Sequence, residues 1–494
     1  MSAAATPKPT RHHVNPWLVL VIACMAQFMV VLDATVVNIA LPSVQRGLHF
    51  TDANLQWIVN GYTLIFGGFL MLGGRLADLL GRKRLFVSGV ALFALASLLN
   101  GFARSSDILI AGRALQGLAG ALVSPAALSI VTTTFTDGEQ RTRALGVWSA
   151  IAASGAAVGL LVGGALTQLA SWRWVFFVNV PIGVITIALA LRYIAESRAD
   201  VAHRAFDIAG AVTVTGGLVV LVYAIVKAHT FGWASGRTVG LIAASVALLA
   251  AFVVIERRSR APLMRLSIFR VRSLAVGDTV LLLVASGMFG MFFFASLYVQ
   301  EILGYSPLRA GLAFLPVTAG IIVGAGLSQQ LIRRLGVRNV AMGGVSLGAA
   351  GMVVLTQLPV HGSYVGNLLI GLLPLSIGLG LAFVPITLLG TSGVSSEDAG
   401  LASGLFNTAQ QVGGSLGLAI LSTLAASQTS SLLRAGGTSP AAATVSGYHI
   451  AFLGAAIMLA AGVGIMGVAL RPRHMRAVEH AIASGAVAAP AVAA

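Results

Sequence analysis

The sequence predicts an all-α polytopic membrane protein, and three observations carry that reading. Only 9% of the 494 residues are charged, while 57% are hydrophobic. Soluble domains carry about 25% charged residues, so this chain lacks the polar surface needed to face water. Apolar runs, each broken by a short polar patch, recur from Trp17 to Leu470, and each approaches the roughly 20 residues that cross a bilayer as a helix.

Fourteen spans follow, at 17–40, 53–73, 84–103, 108–131, 144–170, 174–194, 207–228, 238–255, 273–299, 310–330, 339–358, 364–391, 401–427 and 448–470. The first could pass for a signal peptide behind Lys8 and Arg11. Its apolar run is longer than the about 7–15 residues of a signal h-region, and no small-residue cleavage site closes it. The single cysteine, Cys24, lies within that span and allows neither an intramolecular disulfide nor a cysteine metal cluster.

The net charge of +16 would suggest an anionic partner in a soluble protein. Its placement gives it a different meaning here. With the N-terminus inside, twenty-three of the 31 basic residues fall in cytoplasmic segments, among them Arg82, Lys83, Arg84, Arg257, Arg258, Arg333 and Arg334. Seven, including Arg104, Arg173 and Arg309, fall outside, and Arg113 lies within a span. Positive charge accumulates on the cytoplasmic side, so both termini are expected there and the number of spans is even. No nucleic acid is needed to explain the charge.

A weak duplication gives the organisation. The loop Gly74 to Arg84 follows the second span, and Arg333-Arg334-Leu335-Gly336-Val337-Arg338 follows the second of the last six. Parallel repeats of this kind build transporters whose site lies between two bundles. The expected parts are a cytoplasmic tail (1–16), a six-helix bundle (17–194), a linker with two extra spans (195–256), a second six-helix bundle (257–471) and a cytoplasmic tail (472–494).

The motifs resemble the 14-span drug/proton antiporters of the major facilitator superfamily, from about Leu32 to Leu418. Leu32-Asp33-Ala34-Thr35-Val36-Val37-Asn38-Ile39-Ala40-Leu41-Pro42 is similar to the family's first-span signature, and Gln56-Trp57 with Tyr62 to its second. Gly74 to Arg84 matches the superfamily loop, except that Leu79 stands where a basic residue is common. Arg113, Gln116 and Gly117 match the fourth-span arginine motif. Trp172-Arg173-Trp174 with Asn179-Val180-Pro181-Ile182-Gly183, and Gln300 to Pro307 leading to Gly311 and Pro316, are typical of the branch. Asn407, Gln411, Gly413, Gly414 and Gly417 fit its thirteenth span. One departure stands out: Leu160 follows Gly159 where the antiporter motif has proline, so a bend there rests on glycines alone. The resemblance implies a major facilitator fold and export of small lipophilic drugs or antibiotics across the bacterial inner membrane, in exchange for protons. It also implies no cofactor beyond the proton-motive force, no enzyme activity and a monomeric working unit.

Charge within the membrane is the best physical pointer to a site. A charged side chain at mid-bilayer costs about 2.5–3.5 kcal/mol and is usually functional. Arg113 cannot deprotonate in practice and needs an acidic or carbonyl partner. Asp33 matches its depth: at the α-helical rise the two lie about 10 Å and about 8 Å from the outer ends of their spans. Asp278, about 9 Å from the cytoplasmic face, is a poorer match. The pair is read as a proton-coupling site, or as an ion pair that only joins two helices. A proton crossing 100 mV and one pH unit supplies about 2.3 and about 1.4 kcal/mol respectively. That sustains a gradient of roughly a few hundredfold.

Other candidates are assigned more broadly. Asp78, with Gly74, Gly81 and Arg82, reads as a cytoplasmic gate latch; simple positive-inside anchoring explains the arginines but not the acid. Gly155, Gly159 and Gly163 share one face of span five, for close packing or for sliding between the halves. Asn38, Asn60, Tyr62, Asn407 and Gln411 are candidates for the substrate surface, each with a helix-to-helix hydrogen bond as the plainer alternative. An ATP-driven pump is excluded because no lysine sits in a Gly-Lys-Ser/Thr context, and a His-Glu-x-x-His protease motif is absent. A proton-driven importer and a membrane receptor without transport remain as rivals.

Overall fold

The computed structural model describes residues 15–136, 138–198, 207–259, 262–391, 394 and 398–470. The two expected tails, apart from Asn15 and Pro16, lie outside the described residues. Among the described residues are fourteen helices long and apolar enough to cross a membrane. They are α1 (Pro16–Leu48), α2 (Trp57–Leu80), α3 (Arg82–Gly101), α4 (Ser106–Thr134), α5 (Gly138–Leu169), α6 (Trp174–Tyr193) and α7 (Ile208–Ala228). The rest are α8 (Gly236–Arg258), α9 (Arg272–Ile302), α10 (Pro307–Leu335), α11 (Val337–Leu355), α12 (Tyr364–Thr391), α13 (Ala399–Ala435) and α14 (Pro440–Ala469).

The number matches the sequence reading, while several ends move. Helix α1 continues beyond Ala40 through Gln45 and Arg46, and α14 begins at Pro440 rather than near residue 448. Hydropathy marks the thickness of the bilayer, whereas a helix continues until something satisfies or replaces its backbone bonds. Local chemistry sets those ends. Three helices open with a capping side chain followed by proline: Asn15-Pro16, Ser306-Pro307 and Ser439-Pro440. The cap accepts an amide hydrogen bond and proline supplies the helical φ. Helices α2 and α10 both close on a glycine at positive φ, Gly81 at 113° and Gly336 at 79°. These are the corresponding positions of the repeated loop, and a side chain there would be strained.

The packing repeats in the same order. In the first six helices α1 touches α4, α5 and α6, while α2–α4, α3–α4 and α3–α6 complete the set. In the last six α9 touches α12, α13 and α14, with α10–α12, α11–α12 and α11–α14 beside them, and α13 also packs along α14. Each half is thus the same bundle built twice. Side-chain bonds show which helix ends lie together. Lys83 Nζ donates to Leu191 O (2.8 Å), Arg338 Nη2 to Gly467 O (2.8 Å) and Arg272 Nε to Ala469 O (3.0 Å). These ends form a basic face. At the opposite face Arg173 Nη1 donates to Gly101 O (2.9 Å) and Ala103 O (2.7 Å).

Two seams join the halves, again in symmetric pairs: α2 against α13 and α5 against α10. At the first, the Thr63 and Ser415 hydroxyls lie 2.5 Å apart and Thr408 Oγ1 donates to Gly67 O at 3.2 Å. At the second, a Cβ on Gly164 would fall 2.6 Å from Pro307 O. Near the opposite face α1 meets α9, where Ser296 Oγ donates to Asn38 O (2.8 Å) and Gln300 Nε2 to Ile39 O (3.1 Å). The extra pair α7 and α8 breaks the symmetry. Helix α7 packs on both α2 and α13, covering that seam, while α8 packs on α7.

Candidate functional site

Asp33 and Arg113 meet inside the first bundle. Arg113 Nη1 donates to Asp33 Oδ2 at 2.5 Å, and the two residues are 1% and 0% exposed. Four helices around α1 complete the arrangement. Arg113 Nε donates to the backbone carbonyl of Ile58 on α2 (2.9 Å), and its guanidinium lies 4.4 Å from the ring centre of Tyr62. Gln116, one helical turn after Arg113, accepts from Arg113 Nη1 (2.9 Å) and from Asn100 Nδ2 on α3 (2.8 Å). Its amide nitrogen donates to Asp33 Oδ1 (2.7 Å) and to Ser97 Oγ (2.6 Å). Asn179 on α6 donates to the same two oxygens, at 2.9 and 3.1 Å. Gln116 therefore uses all four of its hydrogen-bonding positions.

The physical result is a buried ion pair held by neutral amides. Taking two charges out of water costs several kcal/mol per ion, which attraction offsets only where the remaining donors and acceptors are satisfied. Here they nearly are. The atoms left without a protein partner sit at the edge: Tyr62 OH, Asn100 Oδ1 and Asn179 Oδ1. A proton on Asp33 would turn an acceptor into a donor and remove the negative charge that faces Arg113. Asp33 bonds to α4 and α6, and Arg113 to α1 and α2.

The polar shell was only partly visible in the sequence. Gln116 and Asn179 lay in quoted motifs without an assigned role. Ser97 and Asn100 lie outside those motifs, and a polar pair at i and i+3 in an apolar span is the signal that marks their helix face.

The gate candidates lie elsewhere, at the basic face. Arg82 Nη2 donates to Asp78 Oδ1 at 3.1 Å. Glu196, beyond the end of α6, accepts from the amides of Lys83 and Arg84 at 3.2 Å each and so caps α3; a carboxylate favours a helix N-terminus. The amide of Arg82 donates to Ser197 O (3.0 Å). These bonds tie the loop to α6 of its own bundle. A Cβ on Gly74 would make only ordinary contact with Pro125, at 3.7 Å. A Cβ on Gly81 would fall 2.6 Å from the Glu196 carboxylate, whereas one on Gly336 would meet nothing within 4 Å. Gly81→Ala should therefore lower the melting temperature in detergent more than Gly336→Ala, which pays backbone strain alone, about 1–3 kcal/mol. Equal shifts would mean that the Glu196 contact contributes nothing.

Gly155, Gly159 and Gly163 face α1: a Cβ on Gly159 would strike Thr35 Oγ1, and one on Gly163 would lie 2.7 Å from Val36 O. That face packs within one bundle. The contact between halves uses its neighbours instead, with Leu160 O against Gly311 and Gly164 against Pro307. The substrate-surface candidates are dispersed. Asn38 is half-buried beside the α1–α9 junction. Asn60 is buried and bonded within α2 to Gln56 Oε1 (3.3 Å), and Tyr62 lies beneath Arg113. Gln411 abuts Gly67 across the α2–α13 seam, and Asn407 is exposed, donating to Ser403 O (2.9 Å).

Comparison with known proteins fits this geometry. The profile of the Major Facilitator Superfamily matches residues 23–418. The chain belongs to that superfamily. It is 41% identical over 456 residues to the puromycin resistance protein of Streptomyces alboniger, covering 91% of this chain and 89% of that one. It is 41% identical over 445 residues to the cephamycin export protein of Amycolatopsis lactamdurans, covering 90% of each. The tetracenomycin C resistance and export protein of Streptomyces glaucescens is 38% identical over 414 residues, 84% of this chain and 77% of that one. The fold also superimposes on a bacterial homologue of the human lysosomal transporter Spinster, in an inward-facing and unoccupied conformation, with a TM-score of 0.65 at 15% identity over 96% of this chain and 99% of that one. A peptide transporter in complex with sulfate gives 0.66 at 16% identity, over 95% and 96%. The chain is a fourteen-span transporter of the major facilitator fold.

Proposed function

We propose that this transporter exports lipophilic, antibiotic-like compounds across the bacterial cytoplasmic membrane in exchange for protons. The observation that carries the reading is the Asp33–Arg113 pair, a protonatable group bonded across several helices of the first bundle of a superfamily member. Similarity to proteins named for antibiotic resistance and export supports the substrate class. In this reading the basic face is cytoplasmic, as Arg and Lys placement favours, and both termini lie there. The protein acts as a monomer and draws on the proton-motive force without a cofactor.

Alternating access follows from two bundles rocking about the site between them. The α1–α9 and α5–α10 contacts lie toward the face away from the arginines, an arrangement suited to loading from the cytoplasmic side. Protonation of Asp33 frees Arg113 and biases the bundles toward one state, and substrate biases them toward the other.

The direct test is the sign of movement in everted vesicles loaded with a pH dye. Export by antiport predicts uptake of a lipophilic antibiotic into the vesicle, coupled to proton release from its interior. Movement of drug and proton in the same direction would establish import by symport, and no flux would leave a receptor.

A further inference from the structure

The second bundle holds a buried acid that the coupling site does not use. Asp278 lies on α9, is 7% exposed, and neither of its carboxylate oxygens has a hydrogen-bond partner. It sits about 9 Å from the start of α9 at Arg272, on the basic side of the membrane. Asp33 lies about 25 Å from the start of α1 by the same rise, toward the other side. The two acids thus occupy different bundles and different depths.

Among the described residues, no charged group bonds to Asp278. Arg272, on its own helix, donates to Ala469 O at 3.0 Å. Helix α12 carries no ionisable side chain between Leu369 and Thr391, and Tyr364, at its far end, donates its hydroxyl to Ala313 O. On α13 the first is Arg434, near the opposite end, and Asp398 just before α13 pairs with Arg265 at 3.5 Å. On α14 they are Tyr448, which donates to Glu301 Oε2 at 3.2 Å, and His449, bonded to Leu358 O at 2.7 Å.

The surroundings also limit what the acid can bind. A Cβ on Gly390 of α12 would lie 3.1 Å from Asp278 Oδ1 and 2.7 Å from Phe406 of α13. A Cβ on Gly277 would fall 2.7 Å from the Gly390 amide nitrogen. Helices α9 and α12 touch backbone to backbone here, leaving no space for an organic cation. An isolated carboxylate out of water is costly as an anion and much less so as a neutral acid, and intramembrane acids of this kind mark proton relays.

We propose that Asp278 is a second proton-carrying site, which exchanges its proton with the solution at the basic face. The step is simple in its balance: the carboxylic acid O–H breaks, the proton passes to water at that face, and the carboxylate re-forms the O–H from the proton next delivered. No other bond changes. Shifts of α12 against α9 at Gly277 and Gly390 open and close the acid to that water. The transport cycle in which this matters rests on the antiport reading above.

The test uses the full-length protein in liposomes and two readouts. Infrared difference spectra of the wild type should show the C=O stretch of a protonated carboxyl that is lost in Asp278→Asn and shifted in Asp278→Glu. In the same liposomes Asp278→Asn should still exchange substrate at equilibrium. Its pH-driven accumulation of substrate should fall about tenfold per pH unit, the effect of losing one coupled proton. Asp278→Glu should recover part of it. If the wild type shows only an ionised carboxylate, or if Asp278→Asn accumulates substrate as the wild type does, the proposal is wrong. Should the wild type move no protons at all, antiport fails, and the infrared band alone still decides whether Asp278 holds one.

Discussion

Arg113→Ala should be less stable than the double variant with Asp33→Asn, and both should be inactive. The single change strands a fully buried carboxylate, and breaking a buried pair by removing one partner costs about 3–5 kcal/mol. Asp33 keeps its bonds from Gln116 and Asn179, so the loss should fall toward the lower part of that range. In the double variant an amide replaces the acid and no charge remains. What is lost then is mainly hydrogen bonding, about 1 kcal/mol per bond. A charge swap, Asp33→Arg with Arg113→Asp, should recover little. The Ile58 carbonyl, Gln116 Oε1 and the Tyr62 ring are arranged around a cation at position 113, and a cation at 33 would find Gln116 and Asn179 amides pointing at it. Thermal unfolding of the detergent-purified variants decides this. Equal stability of wild type and Arg113→Ala would show that the pair does not hold the bundle.

Asp33→Asn alone should abolish substrate-driven proton movement while the protein still inserts and folds. Asparagine can still accept from Asn179 and Gln116 through its oxygen. Arg113 loses its only charged partner but retains the Ile58 carbonyl, Gln116 and the face of Tyr62. The variant should therefore be purifiable, though weakened. Without a titrating group at 33, proton release should fall to background, and the sustained substrate gradient should drop at least about tenfold per pH unit. The measurement is proton release per substrate in everted vesicles, with expression and melting temperature as controls. Normal coupling would leave the pair a structural tie between α1 and α4.

The two acids separate cleanly by variant. Loss of Asp33 disturbs a network spanning five helices, so its effect should reach both stability and coupling. Among the described residues Asp278 bonds to nothing, so its replacement by asparagine should leave stability intact and change coupling alone.

Much of this protein was determined by its sequence alone. Apolar runs fix the number of spans because lipid cannot satisfy backbone polar groups and only helices close their own. Arginine placement separated the two faces, and the repeated loop announced the duplicated bundle, whose glycines at 81 and 336 both end a helix at positive φ. The Asp33–Arg113 pair was legible because two charges in lipid at one depth require each other. Tertiary structure decided the rest. The bonds of Ser97, Asn100, Gln116 and Asn179 depend on which faces of α3, α4 and α6 turn toward α1, and apolar spans with polar residues on several sides leave that rotation open. The glycine stripe of α5 serves α1 rather than the seam between halves because helix rotation, not spacing, selects its partner. The isolation of Asp278 was equally hidden: a sequence shows which acids are present, but whether a cation comes within reach depends on how helices far apart in the chain pack together.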